Sequence, residues 1–328
     1  MKNEQKNNRE DVYELNRLKN FPISFFSISL GLIGFTLAWQ KAEQILEINL
    51  KFSSYLLYLS LLIIVITALI YISKLVKYPS LIGEELRHPI KINFFPIIAK
   101  IFLITSIIYL PLDIVISKYL WWIGVVAQFI FSITTMSSWI RHTSFEIPHL
   151  NPSWFIPVVG SIIVPIAGVT HFSPELSWFF FSIGFFWWLI LTVIVVNRII
   201  FFHPIPDKLL PTMFILFAPP IIGFISLTKL VGVTYFGNML YYFGLFMFIL
   251  VIAQLKTFLK IKFYLSWWAY SFPLDALVIG TLLMYHETGS VFFRVISWGL
   301  LLLLNFVILL LGFKTIIAIK NKQICIEE

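Results

Sequence analysis

The chain has 328 residues, 59% of them apolar and 12% charged, with a mean hydropathy of +0.91. A soluble domain carries roughly a quarter of its residues as Asp, Glu, Lys and Arg. The composition therefore excludes a soluble globular chain, and it removes nucleic acid as the reason for the net charge of +8. Thirty-four Phe, 13 Tyr and 11 Trp point the same way, to an all-α integral membrane protein. A hydrocarbon layer of ~30 Å calls for helices of about 20 residues. Cys325 is the single cysteine, so no intramolecular disulfide forms and nothing implies an oxidising compartment. Residues 1–20 are hydrophilic, and no small-residue cleavage site follows the first apolar window. That window reads as a retained span rather than a signal peptide.

Apolar windows of spanning length fall at 21–39, 52–73, 93–110, 119–140, 153–170, 175–197, 212–230, 234–254, 264–284 and 291–313. They predict a cytoplasmic segment 1–20, a ten-helix domain 21–313 and a tail 314–328, with short loops between helices. Of the 24 Lys and Arg residues, 18 fall on the side that holds both termini. Lys41, Lys51, Lys118 and Lys229 fall on the other, Arg294 lies near that face, and Lys100 is inside a span. Positive charge accumulates on the cytoplasmic side of a membrane protein, so both termini are expected there, at the cell membrane.

Proline marks the internal organisation. Pro22, Pro96, Pro157, Pro165, Pro219, Pro220 and Pro273 all fall in odd-numbered windows, and the even windows have none. Proline removes a backbone hydrogen bond and bends a helix, and in a bilayer the freed carbonyls must be buried in protein or face water. The odd helices are thus expected inside and kinked. The even ones, such as the sixth with Trp178, Phe179, Phe185, Trp187 and Trp188, are expected to form a lipid-facing ring. The odd windows also carry stripes of small residues: Ser24, Ser27, Gly31 and Gly34; Gly160 and Gly168; Pro219, Gly223 and Ser226; Ser266, Ala269, Pro273, Ala276 and Gly280. A small stripe either lets helices pack closely or lines a conduit. Its recurrence favours ten transmembrane helices as five hairpins around a central pore, each an inner helix followed by an outer one.

Three segments resemble the TehA and plant slow-anion-channel family, also called the tellurite-resistance/dicarboxylate transporter family. They are Phe21-Pro22-Ile23-Ser24-Phe25-Phe26 with Leu30-Gly31-Leu32 and Ala38-Trp39; Arg87-His88-Pro89 with Asn93-Phe94-Phe95-Pro96; and Trp267-Trp268-Ala269-Tyr270-Ser271-Phe272-Pro273-Leu274. The resemblance implies a homotrimer in the lipid bilayer, each protomer with its own pore, plugged by the phenylalanine that Phe272 matches. It implies an anion channel passing small inorganic anions, or alternatively a proton-coupled carrier or exporter for sulfite or four-carbon dicarboxylates. Tellurite resistance is a label of some members, and no residue here specifies tellurite chemistry. The pore-lining candidates are Ser24, Ser27, Gly31, Pro96, Lys100, Gly160, Pro219, Gly223, Pro273, Asp275 and Ala276. Asp275 stands where relatives commonly carry a small or hydroxylated residue, and Lys100 where an uncharged one is expected.

Little points to an enzyme, a cofactor or a metal. His88, His142, His149, His171, His203 and His286 are scattered near span ends and loops, where a lone histidine is normally solvated, and no acidic or Cys partner completes a metal set. No nucleotide loop or nucleophile elbow is present. A membrane transferase would need clustered carboxylates, and the chain offers isolated ones. Glu84 and Glu85 read as tempering the basic second loop. In the anion reading, interrupted odd helices present backbone N–H groups and partial positive charge to the pore, while the basic rim concentrates anions. Lys100 and Asp275 lie ~10 and ~16 Å deep by helical rise. They either pair or share a water-filled cavity, or Lys100 snorkels to the rim while Asp275 is protonated and bonds a backbone carbonyl.

Overall fold

The computed structural model describes residues 17–141 and 145–325. Lys2, Lys6, Arg9 and His142 lie outside the described residues. Ten helices are long and apolar enough to cross a membrane: Ile23–Ile45, Phe52–Lys77, Lys91–Tyr109, Ile114–Arg141, Pro152–His171, Pro174–Phe201, Leu210–Val231, Tyr235–Ile252, Leu265–Thr288 and Val291–Lys320. They are called the first to tenth spans below. No strand occurs among the described residues. The fourth and tenth spans overrun their apolar windows because backbone hydrogen bonding continues through polar ends that hydropathy does not count. The tenth reaches Lys320, within the segment expected as a tail. Pro174, outside its apolar window, opens the sixth span at the first helical position, where no N–H is needed.

Odd and even spans differ in surroundings. Protein buries 72–89% of the apolar window of each odd span and 28–33% of each even one. The even spans turn residues such as Val65, Phe186, Val193, Phe246 and Leu309 outward. The aromatic sixth span is not lipid-facing all round. Trp178 and Phe179 are exposed, but Trp188 is 4% exposed and its ring meets those of Phe185 and Phe243. A helix of uniform hydropathy can still be two-sided when a neighbour covers one face.

The spans also differ in backbone. Each even span is an unbroken α-helix, whereas every odd span contains a 3-10 stretch. These stretches are Ile23–Phe25, Lys91–Phe94, Pro152–Trp154 with Gly160–Ile163, Leu210–Phe217 and Leu265–Tyr270. The prolines sit at the junctions. Pro96 caps the helix Ile97–Tyr109, Pro165 begins Pro165–His171, Pro219 and Pro220 follow Ala218 at the start of Ala218–Val231, and Pro273 is third in Ser271–Thr288. In a first helical turn the missing N–H leaves no carbonyl wanting.

The odd spans form a closed ring, each touching the next and the ninth returning to the first. Between the first and third, Gln40 donates to the Ile108 carbonyl at 3.1 Å. Between the ninth and first the approach is close: a Cβ at Gly31 would stand 2.1 Å from Ser271 Oγ, so only glycine permits it. Each even span lies against the odd span before it. Gly124, Gly184 and Gly244 receive Leu103, Ile162 and Ile221 within 2.7 Å of where a Cβ would be. Small residues of this kind let helices approach when the solvent supplies no hydrophobic drive.

The loop after the second span folds into a short helix, Pro79–Arg87, latched from beneath. Lys74 Nζ meets Glu85 Oε1 at 2.8 Å and donates to the Phe21 carbonyl at 2.8 Å, while Tyr71 Oη donates to Glu85 Oε2 at 2.7 Å. Glu85 is therefore a buried partner and not a charge tempering the surface, a role left to the exposed Glu84. Lys74 is likewise withdrawn from the basic rim. Truncating one member of a buried pair strands the other's charge, at about 3–5 kcal/mol. Glu85→Ala should lower the unfolding midpoint of the purified protein accordingly, and Glu85→Gln should lower it less. An unchanged midpoint in Glu85→Ala would show that the latch contributes nothing.

Candidate functional site

Two cavities follow one another along the axis of the odd-span ring. The smaller, about 60 Å³, is lined by the first turns of α-helical segments from all five odd spans. Ser27 comes from the first, Ile97 and Lys100 from the third, Phe155 and Ile156 from the fifth, Ala218 and Pro219 from the seventh, and Phe272 and Pro273 from the ninth. The larger, about 460 Å³, is lined by later turns of the same spans and opens among Lys41, Gln44, Lys229, His286 and Glu287. Three side chains wall both cavities: Phe272, Ile163 and Ile222. They form an apolar septum. Phe272 is only part-buried because a cavity lies on each side of it. It is the second residue of Ser271–Thr288, directly after the 3-10 stretch, and the Ser271 hydroxyl ties that junction to the Trp268 carbonyl at 2.7 Å.

The fifth span is the most broken, and polar side chains of its neighbours close the break. Lys100 Nζ donates to the Ile156 carbonyl at 2.5 Å. Gln128 Nε2 and Ser132 Oγ each donate to the Pro157 carbonyl at 2.7 Å. A carbonyl left open in a bilayer costs several kcal/mol, which accounts for a lysine and a glutamine at this depth. Gly160 makes room for them, since a Cβ there would stand 2.4 Å from Lys100 Cε and 2.7 Å from Gln128 Oε1. Lys100 also lines the smaller cavity, so its amino group stands beside the chamber. The sequence signal for this arrangement was Gln128 and Ser132, one turn apart in an outward-facing span opposite a proline-bearing one. Nothing local marked Ile163 and Ile222.

Asp275 is fully buried and lines the larger cavity, one turn beyond Phe272. Neither carboxyl oxygen has a hydrogen-bond partner. Its Oδ2 lies 2.3 Å from where a Cβ of Gly34 would be. The expected contact with Lys100 does not form, because the septum separates them and Lys100 is turned to the fifth span. The alternative fails too: Lys100 does not snorkel to the rim, and Asp275 bonds no carbonyl. A helical wheel gives angular position but not which neighbour offers an acceptor.

Of the other candidates, Ser27, Gly160, Pro219 and Pro273 line the smaller cavity and Ala276 the larger. Ser24, Gly31, Pro96 and Gly223 line neither. Gly31 packs on Ser271 and Trp268, and Gly223 faces Leu240 of the eighth span. Spacing alone does not separate a stripe that admits a neighbouring helix from one that faces a lumen. His171 is also not the solvated histidine expected: it is 7% exposed, and its Nε2 is 2.7 Å from Ser117 Oγ.

A sequence profile for the voltage-dependent anion channel family matches residues 20–316. An uncharacterised transporter of Methanocaldococcus jannaschii is 30% identical over 324 residues, covering 91% of this chain and 95% of its own. An S-type anion channel of Arabidopsis thaliana, SLAH2, is 27% identical over 291 residues, 85% of this chain and 56% of that one. The tellurite resistance protein TehA homolog of Haemophilus influenzae is 23% identical over 283 residues, 84% of this chain and 85% of that one. The match runs from the entry of the first span well into the tenth, across every element that builds the two cavities, and this multi-pass membrane protein therefore belongs to the voltage-dependent anion channel family.

Proposed function

We propose that the protein conducts small anions passively through the two cavities in series, with Phe272 as the gate between them. The observation that carries this reading is the shared septum: Phe272, Ile163 and Ile222 are the side chains common to both cavities, and no polar group interrupts them. A half-buried ring with a cavity on either side has space into which it can turn. An apolar constriction also excludes a hydrated ion until it opens.

The charge around the smaller cavity supports an anion as the permeant species. At its level the backbone of all five odd spans changes from 3-10 to α geometry, and helix dipoles aligned through that region favour negative charge. The Lys100 amino group stands at the same level and adds a whole charge when it is protonated. Dipoles and one cation attract an anion without enclosing it, which suits conduction better than tight binding. Lys41 and Lys229 at the wide mouth, against Glu287, favour anion entry there as well. The excess of Lys and Arg at the opposite end supports placing both termini in the cytoplasm, with the smaller cavity on that side and the larger one facing outward. The apolar outer faces of the even spans are compatible with a homotrimer in the bilayer.

Two measurements test the reading. Phe272→Ala should raise chloride and nitrate current in proteoliposomes several-fold. Because the ring already borders open space on both sides, the stability loss should fall well short of the ~3–5 kcal/mol of a packed Phe→Ala. Unchanged current from folded Phe272→Ala protein would dismiss the gate. In a Cys325→Ser background, cysteines at Ser27, Ile225 and Ala276 should react with polar thiol reagents, while those at Phe224 and Leu277, turned away from both cavities, should not. The opposite labelling would mean that the cavities are not the water route.

A further inference from the structure

Asp275 is unexplained by packing. Its carboxyl is fully buried, has no hydrogen-bond donor on either oxygen, and forms part of the wall of a cavity that opens to solvent. It stands immediately beyond the septum, one helical turn from Phe272. Every anion that crossed the septum would meet it next. We propose that Asp275 is a proton site on the permeation route, and that an anion passes only while this carboxyl is protonated by solvent from the larger cavity. The inference rests on the reading of the two cavities as the anion path.

The surroundings leave the carboxyl no other means of neutralisation. Lys100 is beyond the septum and donates to the Ile156 carbonyl. From the first span, Gly34 lies against Asp275, and Lys41 is about two turns away at the mouth, where it donates to Gln44 Oε1 at 3.1 Å. The third and fifth spans present Ile104, Ile107, Ile163 and Ile166 to the cavity and no titratable group. The seventh contributes Lys229, and the ninth contributes His286 and Glu287, all at the mouth. Of the flanking spans, the eighth packs Tyr241 onto the ninth, with its hydroxyl 3.1 Å from Thr281 Oγ1, and the tenth keeps Arg294 and Lys314 exposed. The 3-10 stretch before Ser271 carries Tyr270, whose hydroxyl has no partner.

The two forms of the carboxyl act oppositely on an anion. Ionised, it offers acceptors and a like charge, and in a narrow apolar passage that repulsion is poorly screened. Protonated, it is neutral and presents one O–H donor, which can replace part of the anion's lost hydration. The step is a reversible proton transfer from cavity water to a carboxyl oxygen, with no other bond made or broken. The proton stays on the protein while anions pass, so it sets conductance and not the reversal potential.

The test uses the full-length protein inserted in one orientation in planar bilayers, with chloride as permeant ion and pH varied on one face at a time. Acid on the face of the larger cavity should raise the wild-type current, by up to about tenfold per pH unit on the alkaline side of a one-proton titration, and leave the chloride reversal potential in place. Asp275→Asn should carry a high current that no longer depends on pH, while His286→Gln should keep the wild-type profile. Should Asp275→Asn fail to fold, infrared difference spectra of the wild type on acidification of that face should show one buried carboxyl gaining its proton. A pH-independent wild-type current, acid activation from the other face only, an unaltered profile in Asp275→Asn, or no carboxyl band would each overturn the proposal while leaving the channel reading intact. Absence of anion current at every pH, in wild type and in Phe272→Ala alike, would overturn both.

Discussion

The structure depends on one constraint: inside a bilayer, a backbone carbonyl or N–H released from a helix must find its partner within the protein. The fifth span shows it most plainly: its Ile156 and Pro157 carbonyls take their donors from Lys100, Gln128 and Ser132 of neighbouring spans, so it could not face lipid along its whole length. All five odd spans contain 3-10 stretches and sit inside, and the unbroken even spans, satisfied along their own axes, enclose them. Glycines at 124, 184 and 244 set how closely three of the even helices lie on the inner ones.

The same breaks supply the electrostatics. A continuous helix places its positive end at the membrane surface, where water screens it. In the odd spans the change from 3-10 to α geometry lies partway along the span, and the five changes gather around one small chamber. Lys100 satisfies the Ile156 carbonyl that the broken fifth span exposes, and its amino group borders the chamber. The carbonyl accounts for an intramembrane lysine here without an acidic partner.

The two titratable side chains deep in the spans are divided by the septum: Lys100 borders one cavity, Asp275 the other, and three apolar side chains lie between them. The buried latch of Lys74, Glu85 and Tyr71 at the margin of the fold is the contrasting case, in which pairing serves to hold a loop in place.

Much of this organisation was legible in the chain. Hydropathy alone set ten spans and their approximate ends, because a span's length is dictated by the bilayer and not by its neighbours. The confinement of Pro22, Pro96, Pro157, Pro165, Pro219, Pro220 and Pro273 to odd windows marked the inner ring, because proline's missing N–H is a local property. The segment from Trp267 to Leu274 marked Phe272 as the gate candidate through resemblance. What the sequence did not contain was azimuth and partner. Whether Gly31 and Gly223 face a lumen or a neighbouring helix depends on which helix the fold brings against them, and Ser271 and Leu240 settled it. Ile163 and Ile222 look like any other isoleucines until the ring closes and places them with Phe272. Lys100 and Asp275 could be counted to similar depths, yet hydrogen bonding follows direction as well as depth. Only the packed structure turned one toward the Ile156 carbonyl and left the other buried in the wall of the larger cavity without a partner.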